Sequence, residues 1–139
     1  MKVFLDTNVL VSALATRGLC ADLVRLVLTR HELIVAEVVL EELRRVLREK
    51  FDVSEEAVQK VEALLRGYTV VSAPEALPDL PLDANDRRVL AAAIAGDADV
   101  LVTGDRELLD LAGLVERPRI LDPRGFWDLL HASEGSAEV

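Results

Sequence analysis

The stretch Lys2-Val3-Phe4-Leu5-Asp6-Thr7-Asn8-Val9-Leu10-Val11-Ser12-Ala13-Leu14 decides how this chain is read. An apolar run ends on an aspartate, pauses over polar residues and turns apolar again. Lys2–Asp6 reads as a short buried strand, and Asn8–Leu14 as the start of a helix. A strand end does not require a carboxylate, and burying one is costly without a partner. Asp6 is therefore the first candidate for chemistry.

The rest of the chain repeats the alternation. Glu32–Ala36, Thr69–Ser72, Val100–Thr103 and Arg119–Leu121 read as further strands. Helical spacing marks Cys20–Thr29, Glu37–Lys50, Ser54–Arg66, Ala84–Ala95, Asp105–Leu111 and Pro123–His131. Ser54 caps one of these ahead of an acidic first turn, and Gly67 closes it. Ala73–Leu82, with its three prolines, reads as a loop. One domain over residues 1–131 and a flexible tail over 132–139 are expected. Strands separated by helices predict an α/β fold with a parallel sheet covered on both faces. In such sheets the ligand crevice lies beyond the carboxyl ends of the strands, where strand order reverses.

Asp6 and Asp105 both fall at that rim, after the first and fourth strands. Two more acids follow from helical arithmetic. Glu42 lies one turn from Val38 and from Val46, at the edge of the buried stripe, whereas Glu41 shares a solvated face with Arg44 and Arg45. Asp86 shares its face with Val89, Leu90 and Ala93. Each acid also has an ordinary reading. Asp83, Asp86 and Asp105 suit a helix start, and Glu42 suits an ion pair with an arginine. Taken together they are harder to explain that way. Like charges about 4 Å apart repel by roughly 4 kcal/mol at an effective dielectric near 20. Converging carboxylates call for protons or a cation, and an all-oxygen set suits magnesium or manganese. Such an ion polarises a phosphate and activates water.

Composition limits the alternatives. The chain has 139 residues, 51% of them apolar, and a formal charge of −9. That charge speaks against a whole surface built to grip nucleic acid, though not against local basic patches. With one cysteine, Cys20, and two histidines, His31 and His131, a zinc site is poorly supplied. The lone cysteine suits a reducing compartment, and no export signal or membrane span is read, so a cytoplasmic location is expected.

The blocks DTNVLVSAL, VLEELRRVL, LDANDRRVLAAAIAGDADVLVTGDRELLDL and RILDPRGFWDLL resemble PIN-domain proteins. The likeness runs from Lys2 to about Leu130 and is greatest to the VapC-like toxins of toxin–antitoxin pairs. It implies a Rossmann-like sheet of order 3-2-1-4-5 and a Mg2+- or Mn2+-dependent ribonuclease. The family's acids fall on Asp6, Glu42, Asp86 and Asp105, and Thr7 and Asn8 follow the first of them as in the family. The metal ligands would be Asp6, Asp86 and Asp105, with Glu42 completing the cluster or positioning the attacking water. Asn8 and Thr103 would hydrogen-bond an acid, a water or a phosphate, and Asp83 matches an extra acid of many members. The resemblance also implies an RNA substrate, an antitoxin partner and a homodimer. A mean hydropathy of +0.26 fits covered apolar surface as well.

Two other classes place acids at the rim of a doubly wound sheet. A phosphoacceptor receiver wants a lysine after a late strand, but the lysines are Lys2, Lys50 and Lys60. An aspartyl phosphatase wants an acid two residues after Asp6, where Asn8 stands. A PIN-like module that binds RNA or protein without cleaving remains the non-catalytic alternative.

Overall fold

In the computed structural model the backbone is described from Met1 to Glu138 and the side chains through Ala132. Five parallel strands form one sheet: β1 Lys2–Leu5, β2 Glu32–Ala36, β3 Thr69–Val71, β4 Val100–Val102 and β5 Arg119–Leu121. Their order is β3-β2-β1-β4-β5, as the resemblance implies. Strand β1 is central, with Val3 beside Leu33 on one flank and Val100 on the other. The chain winds outward to β2 and β3, then crosses to β4 and β5. Strand order therefore reverses between β1 and β4, and the crevice at their carboxyl ends is the place for a ligand.

The connections are α1 Thr7–Ala15 and α2 Leu19–Arg30, then α3 Glu37–Glu49 and α4 Glu55–Leu65, then α5 Ala84–Ala95, α6 Arg106–Leu109 and α7 Pro123–Glu138. The tail expected over 132–139 lies, apart from Ala132, outside the residues whose side chains are described. Helix α6 is shorter than the periodicity of Asp105–Leu111 predicts. The chain leaves it at Asp110 and passes through a 3-10 turn at Ala112–Leu114. The central strands are buried on both faces: Val3, Phe4, Leu33 and Leu101 are at most 2% exposed.

Helices α3 and α4 are clasped by charge. Arg66 makes a bidentate pair with Glu37 (2.7 and 2.9 Å) and also reaches Glu62 (2.8 Å). Arg44 meets Glu62 at 2.8 Å, and Arg48 meets Glu55. These guanidinium groups hold the Glu37 and Glu62 carboxyls below their usual range. Arg44 and Arg48 are thus engaged within the molecule. Arg45, on the same arginine-rich face, stands outside these pairs.

Close packing at the end of α5 sets one glycine. A Cβ on Gly96 would lie 2.7 Å from Ile34 Cγ2 and 3.3 Å from the Ala92 carbonyl oxygen, against the β2–β3 side of the sheet. Gly113, in the 3-10 turn, faces open space. Gly96→Ala should therefore destabilise the fold by about 1–3 kcal/mol through overpacking. Gly113→Ala should leave stability within about 1 kcal/mol of wild type. Urea denaturation of both variants checks the contrast.

Candidate metal centre at the carboxyl rim

Asp6 follows β1 directly and is only 5% exposed. Its backbone N–H donates to the Val102 carbonyl (3.0 Å), which extends the β1–β4 ladder by one step. Its carboxylate is held from both sides. Oδ1 accepts from the Thr7 N–H at 2.7 Å, the N-cap of α1. Oδ2 accepts from the Thr103 hydroxyl (2.8 Å) and from Asn8 Nδ2 (3.2 Å). Thr103, fully buried, also accepts from the Asp105 N–H at 3.0 Å. Asn8 Oδ1 accepts from the Gly104 N–H at 2.8 Å. Asn8 and Thr103 thus tie the turn after β1 to the turn after β4.

The other acids come to the same rim. Asp105 caps α6 through an Oδ1 that accepts from the Glu107 N–H (2.9 Å). Asp83 caps α5 by accepting from the Asp86 N–H (2.8 Å). Asp86, in the first turn of α5, is buried. Glu42 is half-buried on α3, where Asn85 Nδ2 donates to its Oε2 at 3.1 Å, while Glu41 is exposed. The ordinary capping readings of Asp83 and Asp105 are therefore correct, and both residues nonetheless face the acid rim.

Electrostatics link the set. Burial raises the Asp6 carboxyl above its usual range. The hydrogen bonds from Thr103 and Thr7 oppose this, and the charges of Glu42 and Asp105 add to it. Asp86 is raised to about 7, first by burial and then by the charges of Asp105 and Asp83, with Asp6 contributing less. Charge interactions thus run from Asp86 to Asp105 and Asp6, and from Asp6 to Glu42.

Among the described residues, the carboxylates whose ligand oxygens gather in a set of three within 4.8 Å are those of Asp83, Asp86 and Glu107. Of the sequence-predicted ligands Asp6, Asp86 and Asp105, that set holds Asp86 alone, and Asp105 and Asp6 are tied to it by charge. Sequence reasoning misses Glu107. The one signal it carries is its spacing, two residues after Asp105, which puts it in the first turn of α6. Sequence reasoning also notes Thr7 only as a companion of Asp6, not for its side chain. Its Oγ1 is the buried side-chain oxygen that lacks a hydrogen-bond partner among the described residues. Crowded carboxylates, one of them raised to about 7, together with an orphaned hydroxyl beside Asp6, fit a hard divalent cation with oxygen ligands.

The same crowding predicts how stability varies with pH when no divalent ion is present. Asp86 has a folded-state value near 7 against 3.8 for an ordinary aspartate. Between these values the folded chain holds a proton that the unfolded chain has released, so stability falls as pH rises from about 4 to 7. Asp86→Asn should flatten that decline and gain about 1 kcal/mol at pH 7.5 in chelator. Melting curves of both proteins across this range check the sign.

The PIN domain family matches residues 2–107. No curated protein sequence gives a significant match. Among solved structures, the fold is similar to VapBC2 from Rickettsia felis bound to a DNA fragment from its promoter. That likeness has a TM-score of 0.63 at 20% identity, over 88% of this chain and 98% of the other. It is similar also to VapBC-1 from nontypeable Haemophilus influenzae, with a TM-score of 0.63 at 19% identity over 89% and 99% of the two chains. The matched residues take in Asp6, Glu42, Asp86 and Asp105 and all of the sheet except β5, and the chain belongs to the PIN domain family.

Proposed function

We propose that this chain is a Mg2+- or Mn2+-dependent endoribonuclease, the toxin of a toxin–antitoxin pair. The observation that carries the reading is the convergence of Asp6, Glu42, Asp86 and Asp105, from four separate elements, on the rim where strand order reverses. Asp6, Asp86 and Asp105 would hold the ion, directly or through water, and Asp83 and Glu107 lie close enough to Asp86 to share in this. When bound, the ion polarises a phosphate oxygen and lowers the pKa of a water for in-line attack. Glu42 positions that water. Asn8 and Thr103 keep the Asp6 carboxylate oriented, since both donate to its Oδ2. The leaving ribose oxygen takes its proton from solvent at the open rim.

The purified chain should cleave single-stranded RNA with magnesium or manganese, and chelator should stop it. Asp6→Asn should lower the rate at least about a hundredfold if the ion supplies several kcal/mol to the transition state. The ion should raise the melting temperature of wild type, because it binds the folded cluster. It should raise that of Asp105→Asn much less, while Asn in place of Asp still caps α6. Wild-type activity in Asp6→Asn would reject the assignment and leave a binding module.

An antitoxin partner and a homodimer belong to the same proposal. Both structural neighbours are VapBC assemblies. The chain carries apolar surface to cover: Leu14 and Leu64 are 52% and 61% exposed beside a cavity of about 320 Å³ also lined by Leu10, Val24 and Val61. Among the described residues, no helix is long and apolar enough to cross a membrane. Sedimentation at tens of micromolar should give a dimer, since a moderate Kd keeps it assembled in that range. A clean monomer would count against it.

A further inference from the structure

A groove leads away from the acid rim between α1 and α3. Thr7, Asn8 and Glu42 form its head, and its course is mostly apolar, with Val11, Ala15 and Val46 beside Ser12 and Thr16. Lys50 and Phe51 close its foot, and the cavity holds about 480 Å³. Both helices start at the rim and pack on each other, so the groove runs along them. From Glu42 to Lys50 the helical rise is about 12 Å, room for a few nucleotides.

Two observations indicate what occupies it. Lys50 has no ion pair among the described residues, in a chain where most basic side chains near α3 are paired. Phe51 is a large aromatic ring 48% exposed at the surface. An unpaired cation and an exposed ring at the foot of a channel that begins at the acid rim match a single nucleic-acid strand, which offers phosphates and bases in succession. A wholly apolar peptide would leave Lys50 without a complement.

We propose that this groove is the path of the RNA strand flanking the cleaved bond, with Phe51 stacking on a base and Lys50 neutralising a phosphate. The inference rests on the ribonuclease reading. It adds that binding strength comes largely from residues away from the acids, in a protein whose charge of −9 otherwise repels RNA.

The test measures binding and cleavage separately on the full chain. Binding is followed by anisotropy of a labelled RNA of roughly eight nucleotides, with calcium in place of magnesium. Phe51→Ala should weaken binding about tenfold and Phe51→Trp should restore it. Lys50→Gln should weaken it several-fold and lower the slope of log affinity against log salt by about 0.7, a change that Phe51→Ala should not produce. In cleavage with magnesium, both variants should raise KM by the same factors with kcat little changed, and a dinucleotide substrate should be cut as by wild type. Both side chains are exposed, so melting temperatures should stay at the wild-type value. If wild type cleaves while both variants bind and cleave as it does, the groove belongs to another occupant, such as a partner's peptide, and the proposal fails though the nuclease reading stands. If the variants lose RNA affinity while wild type does not cleave, the groove is supported and the nuclease reading fails.

Discussion

The hydrogen bond from the Thr103 hydroxyl to Asp6 Oδ2, 2.8 Å long and fully buried, holds the centre of this molecule together. It joins the ends of β1 and β4, the two strands between which the chain reverses its winding. Around it, Asp105 donates its N–H to the same hydroxyl, and Asn8 bridges Asp6 to Gly104. Removing one partner of such a buried bond typically costs about 1–3 kcal/mol, because the group left behind stays desolvated. Here the cost would also be geometric, since the same hydroxyl helps to orient the Asp6 carboxylate and accepts from the Asp105 N–H at the entry to α6.

Structural and chemical roles coincide on the same side chains. Asp6, Asp83 and Asp105 are each the N-cap of a helix, and each uses one oxygen for the cap. The positive ends of α1 and α5 offset part of the mutual repulsion among these acids. Asp86 lacks a cap role and sits inside the set, and it is the group pushed furthest, to about 7. The contrast between capping residue and ligand, natural when each residue is taken alone, dissolves once three helices start at one rim.

The fold is legible in the sequence because β1, β2 and β4 are short apolar runs bounded by polar residues, with amphipathic stretches between them. Glu42 is separable from Glu41 because α3 has one strongly apolar face, and the structure leaves Glu42 half-buried and Glu41 exposed. The end of α6 is not legible. Leu108 and Leu111 both pack inward, yet the backbone changes from α to 3-10 between them and Leu114, which periodicity does not register. Glu107 and the Thr7 hydroxyl escape for a related reason. Glu107 matters for the carboxylates it meets across the rim and the Thr7 hydroxyl for the partner it lacks, and both depend on cap geometry rather than on spacing along one helix.

The central position of β1 also has a consequence for how the protein is made. Asp6 and Thr103 are 97 residues apart, so β1 waits during synthesis for its second neighbour until β4 has followed. At about 5–20 residues per second, that interval lasts several seconds. Contacts of such long range close late in folding, because loop closure must precede them. A nascent or truncated chain that ends before β4 lacks Thr103 and Asp105, and so has no assembled acid rim. Whatever chemistry the rim performs begins only once the chain has been made past β4.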